Sequence, residues 1–191
     1  MRLATLFKAP APSPSGPGSA TFRRLASLDA RELYREFLRG QRPDKDDLAG
    51  WEFRGLNHAR ATELLGIRKF VKGFYRSDDD LYGYNLKIRQ TSVFEEWQGV
   101  PDDNTPIRHG FYRVRDVDPT GTDNAHLHAL LLDYGQGDNP RFDVTRGLRD
   151  YLVQVDADVY LGVAMYAFGS KRLPLPGCFL LDRFRRGVVA A

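Results

Sequence analysis

Val159-Tyr160-Leu161-Gly162-Val163-Ala164-Met165-Tyr166-Ala167-Phe168 is an almost unbroken run of apolar and β-forming residues held between two turn signals, Asp156-Ala157-Asp158 and Gly169-Ser170-Lys171. Such a run, bounded by turns and too short to span a bilayer as a helix, predicts a strand over 158–168 that is covered on both faces. The same grammar extends outward along the chain. Strands are expected near 49–56, 68–76, 82–89, 108–116, 125–134, 149–156, 158–168 and 177–185. Between them lie Ser77-Asp78-Asp79-Asp80, Pro101-Asp102-Asp103-Asn104, Asp118-Pro119-Thr120-Gly121 and Gly135-Gln136-Gly137-Asp138-Asn139-Pro140. Two inserts, Asn57 to Leu65 and Val144 to Leu148, read as short helices. Eight short strands with mostly local connections predict a mainly all-β fold, an eight-stranded antiparallel up-and-down barrel, because eight is a number at which a meander can close and remove its edges. A β-sandwich is the competing architecture.

The N-terminal part has a different composition. Residues 9–20 read APAPSPSGPGSA, a stretch that cannot bury apolar surface and is expected to be flexible, so residues 1–24 read as a disordered tail. The single domain is expected to cover 25–191, opening with a short amphipathic helix over 27–40, capped by Ser27 and stopped by Gly40 and Pro43. The pair Arg23-Arg24 is not followed by an apolar segment, so a secretory signal is not expected, and the chain reads as a cytoplasmic protein with no membrane-spanning helix. The net charge of +3 also comes from the tail, where Arg2, Lys8, Arg23 and Arg24 face no acid; the rest of the chain carries −1. That distribution argues against nucleic acid as a partner, which would draw positive charge onto the folded surface.

The segment Leu48-Ala49-Gly50-Trp51-Glu52-Phe53-Arg54-Gly55 follows the helix and opens the first strand. It resembles the Gly-x-Trp region that opens calycin (lipocalin-like) barrels, and also the opening of the bacterial GXWXG-type domain. Here Gly50 adjoins Trp51 directly, and the second glycine lies four positions beyond the tryptophan. The resemblance implies a barrel with an internal cavity for a small, largely apolar molecule. It also implies a basic residue from the last strand over Trp51, for which Arg183 and Arg185 are the candidates. It supplies no catalytic residues.

Side chains alternate across a strand, so each strand offers two faces. The face Tyr160, Gly162, Ala164 and Tyr166 combines small residues with phenols, as a ligand pocket with a few polar fixtures would, or as a core packed around a bend would. His126, His128 and Tyr134 share a face in 125–134, and Tyr84 lies on the apolar face of 82–89. These eight residues are the expected ligand-binding set. His128 with Tyr166 is the candidate acid–base pair, since imidazole titrates near neutrality. His126 and His128 form a His-x-His pair, but a metal needs a third ligand, and His109, Asp116 and Asp133 qualify only by residue type, so no metal site is expected. No cofactor is expected either; a haem held by one of these histidines is the alternative within the pocket reading. Gly-x-Ser-x-Gly, P-loop, His-Glu-x-x-His and dinucleotide motifs are absent, and Cys178 lies among apolar neighbours, as an inert thiol would. The expected function is therefore binding of a small apolar or aromatic ligand inside a barrel. A cofactor-free isomerase or cyclase in the same cavity is the alternative, and an interaction module using the tail is a third reading.

Overall fold

The computed structural model describes residues 17–58 and 67–187. The first sixteen residues, with most of the proline-rich tail, and most of the insert expected as a helix at Asn57 to Leu65 lie outside the described residues. Among the described residues three helices precede the barrel: α1 Ala20–Ala26, α2 Ala30–Arg39 and α3 Lys45–Leu48. The helix expected over 27–40 is thus two elements joined at Ser27-Leu28-Asp29. Ser27 ends α1, whereas Asp29 caps α2: its carboxylate accepts from the Glu32 N–H at 2.8 Å, and the Glu32 carboxylate accepts from the Asp29 N–H at 2.8 Å. This reciprocal pair satisfies two orphan donors at once and so outcompetes a lone serine cap. The boundary expected at 24/25 falls inside α1, whose Phe22 and Leu25 are buried.

The strands are β1 Trp51–Asn57, β2 Lys69–Ser77, β3 Asp80–Leu86, β4 Arg108–Asp116, β5 Leu130–Asp133, β6 Leu148–Asp156, β7 Val159–Phe168 and β8 Lys171–Arg186. Each pairs antiparallel with its neighbour in sequence, and β8 pairs with β1, so the sheet is a closed eight-stranded barrel rather than a sandwich. Two strands depart from expectation. The strand expected over 125–134 keeps only Leu130–Asp133, because the preceding loop is tied to the outer wall by ion pairs. Asp123 pairs with Arg172, with Arg149 at 3.3 Å and with Arg115 at 3.5 Å. The last strand starts at Lys171 rather than 177, so β7 and β8 form one long hairpin. The short helix expected at Val144 to Leu148 is a 3-10 helix over Val144–Gly147.

Two apolar layers hold the barrel. The inner one stacks rings edge to face: Phe53 meets Tyr160 at 5.2 Å and Phe74 at 5.5 Å, and Phe74 meets Tyr112 at 5.7 Å. Gly162 belongs to this layer, but it opens no empty space, because a Cβ there would lie 2.0 Å from the Phe179 ring, which occupies that volume. Leu48 of α3 is buried in the same cluster, beside half-buried Trp51. The outer layer explains why β7 is apolar on both faces. Phe22, Leu25, Leu33 and Phe37 of α1 and α2 cluster with Val153, Leu161 and Leu180 on the outside of the wall. On the other flank the 87–107 segment lays Trp97 against the wall, where its indole N–H donates to the Gly55 carbonyl at 3.0 Å. The buried Lys69 ammonium holds that segment down by donating to Thr91 Oγ1 and to the Ser92, Glu95 and Glu96 carbonyls at 2.9–3.2 Å.

Candidate functional site

Within the inner layer, one end of the barrel is polar. In β2, Phe70, Lys72 and Phe74 share a face and point inward, while Lys69 and Val71 point out. Lys72 is buried, and its ammonium is satisfied on three sides. It donates to Asp150 Oδ2 at 3.0 Å, to Asn85 Oδ1 at 3.1 Å and to the Tyr134 hydroxyl. Tyr134 in turn donates to Asp150 Oδ2 at 3.1 Å and accepts from Asn85 Nδ2 at 3.3 Å. Asn85 Nδ2 also donates to the Gly110 carbonyl at 2.9 Å. The remaining space around the ammonium is aromatic, with ring centroids of Tyr112 at 4.8 Å, Tyr134 at 5.1 Å, Phe179 at 5.4 Å and Phe70 at 5.7 Å.

A fourth strand adds an imidazole. Tyr112 faces inward, so strict alternation would turn Gly110 inward and His109 outward. The β3–β4 register shifts between Gly83/Tyr112 and Asn85/His109, with Gly110 at φ 55°. This bulge inserts one extra residue and re-aims the strand, placing His109 opposite inward-facing Asn85. Asn139 clamps the bulge: its side chain accepts from the Phe111 N–H at 2.8 Å and donates to the Phe111 and Tyr134 carbonyls. The network is buried near one rim of the barrel. Ala164, opposite Asp150 in the β6–β7 register, and Leu148 are half-buried, and His109 is exposed at the rim.

The electrostatics follow from this placement. Burial lowers the Lys72 pKa, and the Asp150 carboxylate opposes that shift. Burial and the same carboxylate push the Tyr134 hydroxyl well above the usual tyrosine range. Burial, with the Lys72 charge nearby, lowers His109, and Asp143 works the other way.

The residues expected from sequence divide between the two sides of the wall. Tyr134, Tyr160 and Gly162 belong to the interior. Tyr166 stands at the rim, donating to the Val144 carbonyl at 3.0 Å. Tyr84 faces outward, donating to Glu52 at 2.9 Å. The polar side of β3, with Gly83 and Asn85, is the inner one, because the 87–107 segment covers the Tyr84, Leu86 and Ile88 face. His126 and His128 precede β5 and lie outside the barrel, under α2, with ring centroids 4.9 and 5.5 Å from Phe37. The structure therefore does not bring His128 to Tyr166; His128 Nε2 contacts the Phe37 carbonyl at 3.3 Å. Among the described residues no three His, Cys, Asp or Glu side chains are grouped as metal ligands. Sequence reasoning missed Lys72, Asn85 and Asp150, and considered His109 only as a metal ligand by residue type. The first and third carried a signal: a lone charge between Phe70 and Phe74, and another between Leu148 and Leu152, each on an apolar face.

His126 offers a pH test. Burial and the neighbouring His128 lower its pKa, so between that lowered value and the ordinary 6.5 the unfolded chain binds a proton that the native protein excludes. Stability is then full above 6.5 and falls on acidification through that window. Thermal midpoints at about pH 7 and about pH 5.5 should differ less in His126→Phe than in the parent. An unchanged difference would place the acid sensitivity elsewhere.

The class these observations define is a closed antiparallel eight-stranded barrel with an ion pair inside an aromatic lining. No protein-family model, no curated protein and no solved structure matches the chain.

Proposed function

We propose that the barrel mouth binds a small, largely apolar or aromatic molecule whose polar end meets the Lys72 network. The observation that carries this reading is the Lys72–Asp150 pair itself. A buried ion pair contributes little to stability compared with apolar residues of the same shape, so charges kept inside an otherwise aromatic barrel point to a role in recognition. The calycin-like reading gains support from the tryptophan that opens β1: Arg183 lies 4.5 Å and Arg186 3.8 Å from the Trp51 ring. The first is one of the two residues expected there, and Arg185 instead pairs with Glu52 at 2.7 Å. The ligand space assigned to Gly162 moves toward Ala164 and the mouth, since Phe179 fills the former.

Binding of 2-naphthol and of naphthalene, followed by fluorescence, tests the proposal. The double variant Lys72→Met/Asp150→Leu should weaken 2-naphthol about tenfold, the equivalent of one hydrogen bond to a charged group, and leave naphthalene nearly unchanged. No binding of either probe by the parent, or equal losses for both, would overturn it. A second reading, a cofactor-free isomerase or cyclase, is favoured by one observation, the bulge that sets His109, at the rim, opposite Asn85. It would use His109 and Tyr134 as the acid–base pair.

A further inference from the structure

We propose that Lys72 is a carbonyl-reactive amine, and that the molecules it takes are conjugated or aromatic aldehydes and ketones, held as a protonated imine on Nζ. The inference rests on the ligand-binding reading above and specifies its chemistry. Three features of the site carry it.

The first is the surroundings of the amine. Lys72 Nζ lies between the rings of Phe70, Phe179, Tyr112 and Tyr134, at 4.8–5.7 Å from their centroids. Flat faces on several sides suit a planar conjugated carbonyl, and exclusion of water protects an imine from hydrolysis. The second is the counter-charge. An iminium keeps the single positive charge of the ammonium it replaces, so Asp150, 3.0 Å from the nitrogen, pairs with the product as it does with the free amine's ammonium. The third is a proton path. The Tyr134 hydroxyl hydrogen-bonds both the Lys72 nitrogen and Asp150 Oδ2, so it can pass protons between them. The lowered pKa of the amine, caused by burial, favours the neutral form that attack requires. Lys69, three positions earlier, has no such setting: its ammonium is spent on a hydroxyl and three carbonyls outside the wall.

The step balances without oxidant or reductant. Asp150 takes one proton from the ammonium. The freed lone pair attacks the carbonyl carbon, forming the C–N bond, while the C=O pair moves to oxygen. A proton passes from nitrogen to that oxygen through Tyr134, giving the carbinolamine. Asp150 then returns its proton to the hydroxyl, which leaves as water as the nitrogen lone pair forms C=N. The sum is ammonium plus carbonyl giving iminium plus water, with Asp150 again a carboxylate.

The test uses the full chain, 2-naphthaldehyde in substoichiometric amount and cyanoborohydride, read by intact mass and peptide mapping. The non-carbonyl isostere 2-naphthalenemethanol serves as competitor and as a separate binding probe. The expected result is one reduced adduct, mapped to Lys72, suppressed by the alcohol. Tyr134→Phe, whose fold is checked by circular dichroism, should slow adduct formation about 100-fold, the contribution of a positioned proton-transfer group. Adducts spread over Lys45, Lys87 and Lys171, with the alcohol still bound at the mouth, would overturn the imine and leave the ligand reading standing. Failure of the alcohol to bind as well would overturn both.

Discussion

Replacing Asp150 with alanine should destabilise the barrel by about 3–5 kcal/mol, the cost of leaving a buried charge without its partner. Among the described residues Lys72 has no other carboxylate in hydrogen-bond contact: Asn85 and Tyr134 supply neutral oxygens, and rings lie around the rest of the ammonium. The double variant Lys72→Met/Asp150→Leu should recover most of that loss, because two apolar side chains of similar volume suit the aromatic lining better than one stranded ammonium does. Urea midpoints of the parent, Asp150→Ala and the double variant provide the measurement. A single-variant loss below about 1 kcal/mol would mean that the ammonium is solvated through the mouth. The combination of a stable double variant and lost binding of polar-headed probes would separate what the pair does for the fold from what it does for a ligand.

The second large effect is expected at a residue in no strand. Trp97 is 1% exposed, donates its indole N–H to the Gly55 carbonyl, meets Phe22 of α1 edge-on at 6.3 Å and carries the Lys69 ammonium 4.3 Å from its ring centre. Trp97→Ala should therefore cost about 3–5 kcal/mol, the range for removing a large buried aromatic. Trp51→Ala should cost clearly less. Trp51 is only half-buried, and its ring is covered by arginines whose charged ends reach solvent. The resemblance drawn from the sequence centres on Trp51; the packing places the structural weight on Trp97. Equilibrium unfolding of the two variants decides the matter, and a larger loss at Trp51 would contradict the packing.

The strands themselves were legible, and for a physical reason. Turn chemistry such as Ser77-Asp78-Asp79-Asp80, where Asp78 adopts φ 52°, is local and readable from the residues alone. Closure followed from the count of strands and the shortness of their connections. What was not legible is which face of a strand points in when both faces are covered. In β3 the aromatic face looks like the core and the Gly83/Asn85 face looks like the surface, yet the 87–107 segment, which follows β3 directly, folds back over the former. The β4 bulge has the same character. One glycine at positive φ reverses the facing of His109 relative to Tyr112, and alternation counted through it gives the wrong side. His126 and His128 illustrate the converse. Their spacing is right for a strand, but ion pairs around Asp123 hold their segment as a loop beneath α2. Partners outside the strand itself decided each of these cases, and alternation within a strand does not encode them.

The pairing of β1 with β8 has a kinetic side. It joins residues about 120–135 positions apart, Asn57 with Phe179 and Trp51 with Arg186, whereas every other pair in the barrel links neighbours along the chain. During synthesis the first seven strands can zip up in order, but β1 keeps an open edge until the final strand emerges. Such an edge is a template for a second, equally unfinished chain. The late arrival of residues 171–186 thus sets both the slowest loop closure in folding and the interval during which nascent chains are vulnerable to aggregation.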